Sequence, residues 1–221
     1  MVYNTIMDIK TNKIFKDYFK NFGTKKYRKG EIILKPGQDF DGIMFPKSGL
    51  AVIYTLSKTK ELNILPTFEP VFFGSMMNLF LDHKNQFYYK ALTDGEYYIA
   101  PTKETLEYFR TDKSLYTKVI NVAVNRLMDM CCFTNKLIFG NATYKVSSMI
   151  VLAAGKYGVK TKDGIEIKLC LPHKMLSDMT GLTRETVTLQ ILAMEKKKLL
   201  AKKGRYLIVK DLETLKKLAT L

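Results

Sequence analysis

Tryptophan is absent from this sequence, and histidine and cysteine are scarce, with two and three copies among 221 residues. Two histidines leave little for acid–base chemistry. No nucleophile–base pair, metal cluster or phosphate-cradling loop stands out, so the sequence points away from an enzyme and implies no cofactor or metal. Cys131, Cys132 and Cys170 are too few for a disulfide framework and lack the spacing of a four-ligand zinc or iron–sulfur site. No apolar run approaches the roughly 18 residues that mark a membrane span, and no signal peptide opens the chain, so a cytoplasmic protein with no membrane partner is expected. Acidic residues are the scarcer charge: 21 against 36 Lys+Arg, a formal net charge of +15. Such an excess calls for a polyanionic partner, either nucleic acid or an acidic surface. The excess is uneven. From Gly140 onward there are 16 basic and 7 acidic residues, whereas 1–139 hold 20 and 14.

What is present falls into three stretches. After a short apolar-periodic segment at 14–22, runs at 31–34, 42–45, 51–56, 61–66, 87–93 and 96–101 are β-rich, short and separated by Gly, Pro or Asp. That spacing predicts a compact antiparallel barrel or roll of six to eight strands. Residues 112–139 then contain neither Pro nor Gly. In them Ile120, Ala123, Leu127, Met130, Thr134 and Leu137 recur at heptad spacing, which predicts a long helix, roughly 40 Å at 1.5 Å per residue. Such a seam suits either a second copy of the chain or the helix's own barrel. Gly140–Asn141 interrupts the helix. Beyond it lie an amphipathic helix (143–156), a hairpin turning at Asp163–Gly164, two helices (172–179 and 183–197) joined through Gly181, a second hairpin turning near Lys203–Gly204, and a last helix (212–218). The domains expected are therefore 1–111, 112–139 and 140–221, in an α+β fold.

Two short helices joined by a glycine-containing turn make a helix-turn-helix, with Leu176, Met179, Val187, Ile191 and Leu192 expected in its elbow. In that motif the first turn of the second helix meets base edges in the major groove of double-stranded DNA. Here the turn carries Arg184, whose fork suits guanine, and Glu185, which can accept from cytosine. Thr188, Leu189 and Gln190 follow as further base-reading candidates. Thr183 is placed to cap the helix and meet a phosphate. Lys202, Lys203 and Arg205 on the second hairpin, with Lys174, are candidates for the DNA backbone. The plainer alternative for the lysine-rich stretch is an ordinary solvated basic face, and for the whole chain a nucleoid-like protein that binds nucleic acid by charge alone.

Taken together, "KGEIILKPGQDFDGIMFPKSGLAVIY" resembles a cyclic-nucleotide-binding-type β-roll with glycines Gly30, Gly37 and Gly49 at its turns. The helix at 112–139 is similar to a dimerisation helix. "PHKMLSDMTGLTRETVTLQILAMEKKKLL" resembles a winged helix-turn-helix down to its Arg–Glu pair. In this order they resemble the Crp/Fnr family of bacterial transcription regulators over nearly the whole chain. The resemblance implies a homodimer on pseudo-palindromic DNA, often under a small-molecule effector bound in the β-roll, and contact with RNA polymerase where the member is an activator.

The departures bear on the effector. Family members that bind cyclic AMP carry a Gly-Glu step and, about eleven residues later, an Arg-Ser step. Here Gly74 is followed by Ser75, and Asn85–Gln86 stand in the second place, so no guanidinium fork awaits a cyclic phosphate. Met130–Cys131 replace the Thr-Ser pair that holds the base. Phe73, Tyr88 and neighbouring aromatics fill the region: either they pack the roll, or with Gly74, Ser75, Asn85, Gln86, Met130 and Cys131 they line a pocket for an apolar or aromatic effector. A third possibility is control by abundance alone. Adjacent Cys131 and Cys132 read as small core fillers, with a redox switch as the alternative, and His83 and His173 read as surface residues. At Leu189, where many members have a second Arg, one base of the half-site should be altered.

Overall fold

The computed structural model describes residues 9–38, 40–56, 62–64 and 84–220. They form two compact units, one ending at Met128 and the other beginning at Asp129.

The first unit runs α1 (Ile9–Phe19), β1 (Thr24–Tyr27), β2 (Ile32–Leu34), β3 (Ile43–Ser48), β4 (Ala51–Leu56), β5 (Leu62–Ile64), β6 (Tyr88–Ala91), β7 (Gly95–Ala100), α2 (Thr102–Thr111) and the first part of α3 (Lys113–Phe139). Its strands form two antiparallel sheets, ordered β1-β7-β3 and β2-β6-β4-β5. Successive side chains of a strand point to opposite faces, and β3 and β7 use both. Met44 and Tyr97 join Tyr27, Leu34, Ile53 and Tyr89 in one core cluster. Ile43, Phe45, Tyr98 and Ala100 join a second, in which Phe15 and Phe19 of α1, Phe109 of α2 and Leu115 and Val119 of α3 are buried. One three-stranded sheet thus carries apolar contacts on both faces. The Tyr27 hydroxyl donates to the Ser48 carbonyl at 2.9 Å, and burial pushes its pKa up to about 12. Gly30, Gly37 and Gly49, expected at the turns of the roll, all have positive φ. At Gly49 a Cβ would also lie 2.6 Å from the Asp94 carbonyl and the Tyr27 hydroxyl, so a side chain is excluded twice.

Two elements of this unit were not anticipated. β1, TKKY, is three exposed residues and one buried one, so it carries no apolar alternation. α2 follows Pro101 directly, and its buried residues are Thr105 and Phe109. Thr105 donates its hydroxyl to the Pro101 carbonyl and accepts from the Tyr18 hydroxyl. A threonine buried by a partner 87 positions away leaves little apolar periodicity to read.

The second unit continues from α3 into α4 (Ala142–Tyr157), β8 (Gly158–Thr161), β9 (Gly164–Ile167), α5 (His173–Thr180), α6 (Arg184–Lys196), β10 (Leu200–Lys203), β11 (Tyr206–Val209) and α7 (Leu212–Leu218). Asn141 starts α4 by accepting from the Tyr144 N–H at 2.9 Å. α4 is the buried centre, with Val146, Met149, Ile150 and Ala153 all inside, and it contacts α5, α6 and α7. The strands form one antiparallel sheet, β10-β11-β9-β8. Among the described residues no helix is long and apolar enough to cross a membrane.

On α3 the apolar residues divide. Leu115 and Val119, with Val122 and Ala123 partly covered, pack into the first unit's own core. Ile120, Val124, Leu127 and Met128 stay exposed, at 40, 54, 61 and 59%. Ala123 is therefore partly taken up by the first unit's own core. At 100° per residue it lies toward the core side, and Val124 is the exposed neighbour of Ile120 and Leu127. Of the remaining seam candidates Thr134 is exposed, while Met130 and Leu137 are half-buried.

Candidate nucleic-acid interface

α5 ends where Gly181 adopts the left-handed conformation, φ +67°, and its N–H reaches the Ser177 carbonyl. That is a helix C-cap which an L side chain enters only under strain. Two residues later the extended backbone of Thr183 begins α6, its Oγ1 accepting from the Thr186 N–H at 3.1 Å. The elbow between the helices is filled by Met175, Leu176 and Met179 from α5 and by Val187, Ile191 and Met194 from α6. Leu192, expected among them, is 44% exposed, and Met194 is buried in its stead. Three positions on from Ile191, Met194 returns to the buried face of a 3.6-residue helix.

The first turn of α6 therefore projects Arg184 and Glu185 outward, both exposed. Glu185 also suits the positive end of the helix dipole. Leu189, one turn on, is 65% exposed. Two of the expected base readers are engaged elsewhere. The Gln190 Oε1 accepts from the Thr143 hydroxyl at 2.7 Å, which turns it toward α4 and away from the face that carries Arg184. The Thr188 hydroxyl donates to the Arg184 carbonyl at 2.8 Å and meets His173 Nδ1 at 2.7 Å. His173 is correspondingly half-buried rather than a free surface residue. No local signal announces either pairing, because the partners stand 15 and 47 positions apart.

The hairpin after α6 is led in by Lys198, whose φ of +57° ends the helix in a position more often held by glycine. Lys202 lies 3.6 Å from Glu195, and Lys203 is exposed at the tip. Arg205 lies over the Tyr206 ring, 5.1 Å from its centroid, and donates to that residue's hydroxyl at 3.0 Å. Lys174 is tied to Asp178 one turn along α5. Thr183, Lys174, Lys202, Lys203 and Arg205 thus all belong to α5, α6 and the adjoining hairpin, with Lys174 and Lys202 held by acidic partners.

The domains around this constellation have counterparts in known proteins. Residues 24–112 match the cyclic nucleotide-binding domain family, and residues 145–218 match the Crp-like helix-turn-helix domain family. The chain belongs to the Crp/Fnr family of transcription regulators. A global nitrogen regulator of Nostoc sp. is 22% identical over 177 residues, 79% of this chain and 79% of that protein. A CooA mutant from Carboxydothermus hydrogenoformans shares the fold with a TM-score of 0.74 at 22% identity, over 92% of this chain and 90% of the other. FixK2 from Bradyrhizobium japonicum reaches 0.78 at 17% identity, over 90% and 98%. The c-di-GMP-responsive regulator CLP of Xanthomonas campestris reaches 0.72 at 16%, over 92% and 100%.

Membership of the Crp/Fnr family raises the question of a cyclic nucleotide. Phe73, Gly74 and Ser75 lie outside the described residues, but the second half of the expected phosphate cassette is described. The Asn85 amide donates to the Lys35 and Phe87 carbonyls at 2.8 and 2.5 Å, and its Oδ1 accepts from the Phe87 N–H. The Gly37 N–H in turn donates to the Asn85 carbonyl. Asn85 thus ties two loops together, and its polar atoms are spent on backbone groups rather than offered to a ligand. Gln86 is exposed. These residues do not fit a cyclic phosphate. Tyr88 is half-buried and stacks on Tyr54, with centroids 4.9 Å apart, while Met130 and Cys131 belong to the other unit. Cys131 is exposed and Cys132 half-buried, which corrects the expectation that the pair fills a core. Among the described residues no three His, Cys, Asp or Glu gather as a metal cage.

Proposed function

We propose that this Crp/Fnr-type regulator acts in the cytoplasm as a homodimer on a pseudo-palindromic operator and does not respond to cyclic AMP. The observation that carries the reading is the exposed Arg184–Glu185 pair on the first turn of α6, held by the Thr183 cap and the elbow beneath it. In this reading Arg184 and Glu185 read a G and a C in each half-site, and Leu189 offers only an apolar surface. Thr183, Lys174, Lys202, Lys203 and Arg205 contact the backbone and set register without specifying sequence. The exposed stripe Ile120, Val124, Leu127 and Met128 is the main part of the dimer seam, continued by Thr134 and flanked by Met130 and Leu137. Residues 1–111, 112–139 and 140–221 serve as effector-type domain, dimerisation helix and DNA-binding domain. An effector, where one acts, is apolar or aromatic. RNA polymerase is a further partner where the protein activates.

Selection of random duplex DNA by the purified protein at ~150 mM salt tests this. The expected winner is a pseudo-palindrome with G and C at the positions read by Arg184 and Glu185. Enrichment of general duplex alone, without and with cell extract, would replace the operator reading by charge-only nucleic-acid binding.

A further inference from the structure

We propose that His173 is a positioning residue which braces the first turn of α6 and takes up a proton when DNA binds, so that operator affinity rises as pH falls. The proposal rests on the reading of α6 as the DNA-reading helix. Its starting point is a chain of two hydrogen bonds. Thr188 has one hydroxyl proton, and it points at the Arg184 carbonyl, 2.8 Å away. The 2.7 Å contact between the same hydroxyl and His173 Nδ1 must then have the ring as donor. This assigns the tautomer: Nδ1 carries a hydrogen in either charge state, and Nε2 is the atom that gains or loses the second proton. The hydrogen bond to Thr188 therefore survives titration. Through Thr188 it ties the start of α5 to the backbone of Arg184.

The charges acting on His173 come from both neighbouring elements. Lys202 of β10 and Arg184 of α6 disfavour the imidazolium, and Glu195 of α6 favours it. On its own helix Lys174 is paired with Asp178. Partial burial and the two cations hold the ring below the ordinary histidine range, so it is neutral in the free protein near pH 7. Arg184 and Lys202 are also residues proposed to face DNA. DNA arriving there sets phosphates beside Lys202 and guanine acceptor atoms against Arg184, which offsets the two cations that suppress the imidazolium and raises the His173 pKa in the complex. A pKa higher in the complex than in the free protein means proton uptake on binding. Affinity then grows as pH falls through the complex's pKa and levels off below the free protein's pKa. The ceiling is one proton, or about tenfold per pH unit, for each subunit.

The test measures affinity for the selected operator at pH 8.0 and 6.0 with the full-length protein, its His173→Asn variant and its His173→Ala variant, with thermal unfolding confirming that each is folded. The unsubstituted protein is expected to bind about fivefold or more tighter at pH 6.0. Asparagine places an amide N–H where Nδ1–H stood but cannot titrate. His173→Asn should keep the pH 8.0 affinity within about twofold and lose the pH dependence. His173→Ala should bind about tenfold more weakly at pH 8.0, lose the pH dependence and so fall further behind at pH 6.0, and discriminate less at the base read by Arg184. His83 is unchanged in both variants and serves as the internal control. A His173→Asn protein that keeps the full pH dependence, or a His173→Ala protein with unchanged affinity and base preference, overturns the inference. An operator selected and bound with no pH dependence sinks this inference alone. Selection of no sequence at either pH takes the operator reading down with it.

Discussion

α3 and α6 both leave a helical face uncovered, and the two faces have opposite chemistry. On α3, Ile120, Val124, Leu127 and Met128 are 40–61% exposed on the side away from the core formed with Leu115 and Val119. Along the first turn of α6 the exposed residues are Arg184 and Glu185, braced from below by hydroxyls. An uncovered apolar stripe gains stability when it is removed from water, by roughly 1.5–3 kcal/mol for each large side chain. An uncovered charged turn gains only from a partner with complementary donors and acceptors, and it needs to be held still to discriminate. In the proposed reading the difference separates a surface for a second copy of the chain from a surface for a polar, patterned ligand.

Substitutions break this comparison at different depths. The largest effect is expected from Leu127→Glu. The side chain is 61% exposed, so folding should change by no more than about 0.5 kcal/mol. Two carboxylates buried across a twofold seam should weaken self-association by about 100-fold or more, read by sedimentation equilibrium. Unchanged association would show that the stripe is not the seam. Next, Arg184→Ala should lose about 1–3 kcal/mol of operator affinity and blur one base position, seen by repeating the selection. Thr183→Ala removes the α6 cap and should lower thermal stability by about 1 kcal/mol. Smallest is Lys203→Ala, expected to weaken binding to all sequences alike and to reduce the salt slope by about 1. Were Arg184→Ala to act as uniformly as Lys203→Ala, the first turn of α6 would be only another basic surface.

Much of the fold was legible. β4 and α7 fall at the residues their patterns marked out, and the hairpins β8–β9 and β10–β11 turn at Lys162–Asp163 and Gly204–Arg205, each one residue from the anticipated Asp163–Gly164 and Lys203–Gly204. Gly181 and Thr183 announced the turn and the cap because each acts on atoms within a few residues of itself. β1 and α2 escaped because β1 is an edge strand almost without apolar residues and α2 buries a threonine. Within the expected seam Ala123 differs for another reason. Heptad spacing says that α3 has a covered face without saying by what, and Ala123 is covered by the helix's own unit. At the interface, the exposure of Arg184, Glu185 and Leu189 followed from helix geometry. The engagement of Gln190 by Thr143 and of Thr188 by His173 did not.

By itself, then, the sequence determined where elements begin and turn, where positive charge collects and which helix offers an Arg–Glu pair. Capping, alternation and turn chemistry are short-range and are written in neighbouring residues. Only the tertiary structure decided which polar side chains remain available. Asn85 is spent on Lys35, Gln190 on Thr143 and Thr188 on His173 because packing brings together groups 50, 47 and 15 positions apart. A buried or half-buried polar atom takes whatever partner the fold places within reach, since leaving it unpaired costs roughly 1–3 kcal/mol.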